Sequence, residues 1–266
     1  MQPKSKAQEA YEFLQKYQGL TNPDSLRFHR WLRDGENLVA TSPADGYILQ
    51  GFAHKLLGNA ILALDSMKKA KMLNNYFGKV NYAVLLTRLG RYEESLPICF
   101  ELLQQDPTDS YVFSMILENV DFALDIDLAK RAFSLYQGDD INLQSFLSSL
   151  NRKTQILHDV SIDKDVFIPV SVLNTLKDVF INIKKRLFGF LSRHYCGNYT
   201  TQFFIVESEI GKQLDLNVYL NNVDVHQCVE LTDIFMDELI DDNTLRFDDY
   251  KNIIVHFIPS KYNQVA

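Results

Sequence analysis

The sequence predicts an α+β fold, an N-terminal all-α array of helical hairpins followed by a small α+β domain, and three observations predict it. Gly51, Gly58, Ala63 and Ala70, spaced seven, five and seven apart, are echoed 32 residues later by Ala83, Gly90, Ser95 and Leu102. Small side chains at such intervals are what two antiparallel helices need where they cross. The echo closes on Asp106-Pro107, a helix stop that also sets up the next turn. Further on the period changes: Leu214, Leu216, Val218 and Leu220 alternate with Asp215, Asn217 and Tyr219, as a half-buried strand requires.

The helical half opens on Tyr11, Phe13, Leu14, Tyr17 and Leu20 at helical spacing, stopped by Asn22-Pro23. A second periodic stretch carries Leu26, Phe28, Trp31, Leu32 and Leu38, so the two form an opening helical pair. Thr41-Ser42-Pro43 supplies a cap with proline in the first turn, starting a helix through Tyr47, Gly51, His54 and Leu57. The chain turns at Gly58-Asn59, a helix runs from about Ala60 to Leu73, and Asn74-Asn75 ends it. The second hairpin has Tyr82, Ala83, Leu86 and Leu89, a turn at Gly90, and a helix from Tyr92 through Leu103. Pro97 removes a backbone donor in that helix and predicts a local kink.

These residues resemble the tetratricopeptide repeat. Its pattern has a small residue in the first helix, Gly at the turn, an aromatic two residues later, a small residue in the second helix and a closing Asp-Pro. Residues 76–109 match with Ala83, Gly90, Tyr92, Ser95, Asp106 and Pro107, and 44–75 with Gly51, Gly58, Ala63 and Ala70. A degenerate third copy from Ser110 extends the resemblance to about residue 137; it keeps Phe113, Ile116, Ala129 and Phe133 but has Leu117 for the small residue and loses the turn glycine around Leu124. The resemblance implies that a concave wall is built from the first helix of each hairpin. That wall would carry Ile48, Phe52 and Lys55, then Val80, Val84, Thr87 and Arg88, then Tyr111, Ser114, Glu118 and Asp121. Asn81 stands where some members place a clamp for a client's terminal carboxylate. The basic partners of that clamp are absent, with Phe52 and Val84 in their places, so a carboxylate clamp is not expected. Short arrays need caps, and the N-terminal helices or the C-terminal domain are candidates to cover part of the wall.

After Gly138-Asp139-Asp140 one more helix is expected on Leu143, Phe146, Leu147, Leu150 and Ile156-Leu157. Asp163-Lys164-Asp165 reads as a surface connection, placing the domains at 1–160 and 161–266. The second domain is predicted as helix, strand, strand, helix, strand. Apolar residues from Val172 to Leu191 make a long amphipathic helix. Phe203-Phe204-Ile205-Val206 and Leu214 to Leu220 are strands, with Gly211-Lys212 expected at the hairpin turn. A helix from about Val223 to Ile240 buries Cys228, Leu231, Phe235 and Leu239, and Ile253 to Ile258 is the last strand. Helices should cover one face of a mostly antiparallel sheet.

Composition narrows the functions. With 266 residues and 46% hydrophobic content the chain can bury a sizeable core. A formal net charge of -7 and a pI near 5.4 argue against a broad grip on nucleic acid or anionic lipid. The polar start from Met1 to Ala10 and the lack of any run near the roughly 20 apolar residues that span a bilayer predict a soluble chain with no membrane insertion. Three cysteines, Cys99, Cys196 and Cys228, are too sparse for a disulfide framework and point to the cytoplasm.

Motifs for chemistry are weak. His194-Tyr195-Cys196 and His226-Gln227-Cys228 offer imidazoles and thiolates, but His226 and Cys228 point about 200° apart on a helix, so core cysteines are expected rather than zinc. The acidic group Asp237, Glu238, Asp241, Asp242, Asp248 and Asp249 lacks the glycine and alternating ligands of a calcium loop. Glu207, Glu209 and Asp215 flank the hairpin without the lysine of a metal-dependent nuclease. Lys184-Lys185-Arg186 and Arg193 read as a solvated face. No phosphate loop, G-x-S-x-G elbow or H-E-x-x-H is present. The expectation is therefore a non-enzymatic module without a cofactor, an adaptor, chaperone or toxin-neutralising partner. It would hold a protein or peptide with Phe52, Val80, Val84 and Tyr111 as anchors and Lys55 and Arg88 setting orientation. The second domain would meet another partner or form a homodimer. The alternative places an active site in that domain, near His194, His226 or His256, with the array as a targeting arm.

Overall fold

The computed structural model describes residues 5–138, 143–161, 170–208, 211–242, 244 and 253–260. From the N-terminus it has α1 (Lys6–Lys16), the two-residue strand β1 (Gly19–Leu20), α2 (Leu26–Val39), α3 (Pro43–Leu56) and α4 (Ala60–Met72). Then come α5 (Tyr76–Arg88), α6 (Tyr92–Gln105), α7 (Ser110–Ala123), α8 (Ile126–Leu135), α9 (Leu143–Ser161) and α10 (Val170–His194). The remainder is β2 (Tyr195–Cys196), β3 (Tyr199–Ser208), β4 (Gly211–Leu220), α11 (Val225–Ile240) and β5 (Ile253–Pro259). The chain is thus a helical array followed by a small sheet-bearing part, α+β overall. Its contacts divide it into two units, residues 1–143 with 188–197, and residues 144–187 with 198–266. The expected connection at 163–165 lies outside the described residues.

In the array unit each helix from α2 to α8 packs on the next, and the first helices α3, α5 and α7 also touch in sequence. The hairpins close in one way. Gly58 (φ +82°), Gly90 (φ +69°) and Leu124 (φ +52°) are all left-handed. The residue after each donates its N–H five residues back, from Asn59 to His54, from Arg91 to Leu86 and from Asp125 to Val120, which satisfies carbonyls left over at a helix end. The spacing of small residues has its physical cause in the crossings. A Cβ on Gly51 would stand 2.7 Å from the Met67 Cε of α4, and one on Gly78 would stand 2.7 Å from the Ala70 carbonyl carbon. Through Pro97 the α6 helix runs unbroken from Tyr92 to Gln105. Leu49, Leu56, Met67, Leu86, Leu102, Phe113 and Ile116 form the core.

The first two helices pack on each other through aromatic rings, Phe13 5.4 Å from Trp31 and 5.8 Å from Phe28 between centroids, and both rest on α3, Tyr11 lying 6.0 Å from Phe52. Residues 188–197 complete this unit. β2 pairs antiparallel with β1, Gly19 facing Cys196 and Leu20 facing Tyr195. Thr21 donates its N–H to His194 O at 3.0 Å and its hydroxyl to Arg193 O at 2.8 Å, and Phe188 lies edge-on to Phe122 at 4.9 Å. Periodicity could not reveal strands of two residues.

In the second unit the sheet order is β3-β4-β5. β3 and β4 pair antiparallel from Tyr199–Leu220 to Ser208–Gly211, whereas β4 and β5 pair parallel from Leu214–Ile253 to Leu220–Pro259. The sheet is mixed because α11 lies between β4 and β5 in the chain and allows a crossover connection. Gly211-Lys212, expected at the turn, instead open β4 opposite Ser208 and Glu207. Phe180 of α10 packs 5.2 Å from Phe203, and Phe235 of α11 packs edge-on to Phe257 at 6.0 Å. Asp224 caps α11 by accepting from Gln227 N at 2.8 Å, while Asp224 N donates to Gln227 Oε1 at 3.0 Å.

Of the basic residues on α10 expected to form a solvated face, Arg193 is exposed, but the run Lys184-Lys185-Arg186 is buried or half-buried. Lys184 is buried with its ammonium 5.2 Å from the Phe180 ring centroid, and Arg186 Nε donates to Asp242 Oδ2 at 2.5 Å. That guanidinium, with Thr244, holds the Asp242 carboxyl well below the usual carboxylate range. Asp248 and Asp249 of the acidic group lie outside the described residues.

Candidate binding site

Helices α3, α5 and α7 each present one side at i, i+3 and i+4 intervals. Two cavities open along that side within the array unit. The larger has a volume of about 300 Å³ and is lined by Ile48, Phe52, Val80, Asn81 and Tyr111, together with Asp45, Tyr76, Phe77 and Asp109. Its remaining wall is α1, through Ser5, Ala7, Gln8 and Tyr11. The smaller, about 100 Å³, is lined by Val84, Thr87, Arg88, Tyr111, Ser114, Met115 and Glu118. Tyr111 lines both, so the cavities adjoin.

Burial differs along this lining. Ile48, Phe52, Val80 and Thr87 are buried, Phe52 being only 3% exposed. Val84, Arg88, Lys55 and Glu118 are half-buried, and Ser114 and Tyr111 are exposed, Tyr111 at 53%. Lys55 lines neither cavity. Desolvation lowers its pKa, opposed by Cys196, whose thiol donates to Lys55 O at 3.5 Å. Arg88 Nη1 lies 3.2 Å from Glu118 Oε1. Asp121 is half-buried on α7 and lines neither cavity.

Beneath the smaller cavity a buried polar cluster joins α5, α6 and α7. Thr87 Oγ1 donates to Ala83 O at 3.1 Å and accepts from Asn119 Nδ2 at 2.9 Å. Ser95 Oγ donates to Ala83 O at 3.0 Å, and Asn119 Nδ2 also donates to Met115 O at 2.8 Å. Asn119 Oδ1 is buried with no hydrogen-bond partner. The small residue Ser95 is thus also a polar link across the hairpin.

At the larger cavity Asp109 caps α7, its Oδ1 accepting from Tyr111 N at 2.9 Å and Val112 N at 3.0 Å. Its Oδ2 accepts from the Tyr76 hydroxyl at 2.5 Å. Burial, then this bond, pushes the Tyr76 phenol up to about 12. Asp45 Oδ2 accepts from Ser42 Oγ at 2.9 Å. Sequence reasoning passed over Tyr76, Phe77, Asp45, Asp109 and the α1 wall. The adjacent aromatics at the start of α5 were the available signal, since an amphipathic helix rarely needs both.

Each candidate histidine has its own surroundings. His256 Nε2 on β5 is 3.6 Å from Asp215 Oδ2 on β4, His226 is exposed on α11, and His194 packs 4.4 Å from the Phe190 ring. Cys99, Cys196 and Cys228 are free and buried; burial raises each thiol's pKa, to about 11 for Cys99 and Cys228. Among the described residues no group of three or more His, Cys, Asp and Glu could hold a metal ion, and no helix is long and apolar enough to cross a membrane. No protein-family model matches the chain, and neither a curated protein nor a solved structure resembles it at a significant level.

Proposed function

We propose that this protein is a non-enzymatic interaction module that holds a polypeptide segment along α3, α5 and α7, in the manner of a tetratricopeptide-like array. The observation that carries it is the pair of adjoining cavities meeting at Tyr111. The repeated left-handed closure of three hairpins supports the family-like geometry. Tyr111 and Val84 supply accessible apolar surface, Phe52, Ile48 and Val80 form the floor, and Arg88 orients the client; Lys55, which lines neither cavity, drops out of that role. Binding strength at such surfaces concentrates in a few aromatic and arginine positions.

The test is a fluorescence-anisotropy titration of labelled degenerate peptide pools against the full chain, its Tyr111→Glu variant and its Ser114→Arg variant. Both positions are exposed, so circular dichroism should show both variants folded. Micromolar binding that weakens about tenfold or more in both is expected, a loss near 1.4 kcal/mol. Binding indifferent to both substitutions, or absent from wild type, overturns the proposal.

A further inference from the structure

The larger cavity has a chemistry of its own. Tyr11, Phe52, Tyr76, Phe77 and Tyr111 bring five aromatic rings to it, with Phe77 67% exposed at its rim. Two carboxylates, Asp45 and Asp109, line it, and among the described residues no Lys, Arg or His does. Among the described residues neither carboxylate has a cation within ion-pair distance; Asp45 is met by Ser42, and Asp109 by Tyr76 and two backbone amides.

These features select among occupants. An anion would meet two like charges and no counter-charge. A purely apolar side chain would fill the volume but strip the remaining water from both carboxylates while adding neither a donor nor a counter-charge to the hydrogen bonds they already accept, which is costly. A cation gains from both walls, because ring faces attract positive charge within about 6 Å and the carboxylates complete the ion pairing. A volume of about 300 Å³ sits at the low end of the roughly 300–1,000 Å³ range of small-ligand sites, which suits one long side chain. The net charge of -7 adds long-range attraction for a basic segment.

We infer that the cavity between α1 and the α3–α5–α7 side is a cation pocket that takes an arginine or lysine side chain of the bound peptide. This rests on the groove proposed above and names what its aromatic end recognises.

Three degenerate nonapeptide pools separate the possibilities, identical except for arginine, norleucine or glutamate fixed at the centre, each titrated against the full chain by anisotropy. The arginine pool should bind about tenfold tighter than the norleucine pool, and the glutamate pool weakest of all. That preference should shrink toward unity in Asp45→Asn, an isosteric change at a half-buried position, and in Phe77→Ala, at an exposed one, and should fall as salt is raised. Equal binding of all three pools, still sensitive to Tyr111→Glu, overturns the cation pocket and leaves the groove standing. A tenfold preference unchanged in both pocket variants places the cation elsewhere and also overturns it. No binding by any pool overturns both proposals.

Discussion

Leu124 takes the backbone conformation that Gly58 and Gly90 take at the ends of the two preceding first helices. An L side chain there costs about 1–2 kcal/mol, yet Leu124 is only 4% exposed, and burying a leucine returns about 1.5–3 kcal/mol. The burial outweighs the strain, so Leu124→Gly should lower stability by about 1 kcal/mol, measured by urea denaturation. A gain would mean that the strain dominates. This explains why the third repeat was only partly legible: the motif records a glycine, whereas the fold requires a left-handed residue that packing can also enforce. Tyr76 makes a second case. Its phenol is held near 12 against an ordinary 10, so the folded chain holds that proton more tightly than the unfolded one. The associated stability is present below pH 10 and is lost as pH rises toward 12. The Tyr76 ring carbon followed by NMR should titrate near 12, and in Asp109→Asn, which preserves the cap, it should move down only part of the way to 10, because burial is the larger cause and remains.

Between elements, close approach is set by glycines whose missing Cβ another backbone occupies. Gly78 of α5 faces the Ala70 carbonyl of α4, and Gly46 of α3 faces Gly35 of α2. Gly78→Ala should therefore destabilise by about 2 kcal/mol despite alanine's better helix propensity. Among the described residues, a Cβ on Gly189 of α10 would meet only the Arg193 Nη1, at 3.8 Å, so Gly189→Ala should stabilise by about 0.5–1 kcal/mol. Opposite shifts in thermal midpoint check the pair. Helix limits were readable because caps and apolar stripes are local. The mixed sheet was not, since parallel pairing of β4 with β5 depends on a connection across α11 that no strand announces. Gly211 misled for a related reason: a glycine near a hairpin marks a turn only when the register places it there, and here it pairs with Ser208. The α1 wall escaped notice because a helix reports its own apolar stripe but not the face it will cover.

For the whole molecule, the array unit is discontinuous in sequence, with residues 188–197 returning to it after the chain has contributed residues 144–187 to the other unit. A fragment ending at residue 160 would lack β2, Phe188 and the carbonyls of Arg193 and His194 that receive Thr21. Such a fragment should melt well below the full chain and bind a hydrophobic dye; equal melting temperatures would show that the returning segment contributes nothing. The composition announced two kinds of architecture, and a linear reading of it places their border at one point, whereas contacts between positions 172 residues apart are invisible to any local pattern. The pairing of β1 with β2 also sets a schedule. At ribosomal rates of about 5–20 residues per second, the fifty-odd residues from 144 to 197 take several seconds to emerge. During that interval the nascent array has all its helices from α1 to α8 but an open end where Leu20 and Phe122 wait for Tyr195 and Phe188. Slowed translation over this stretch would lengthen that exposure and leave the newborn array open to aggregation for longer.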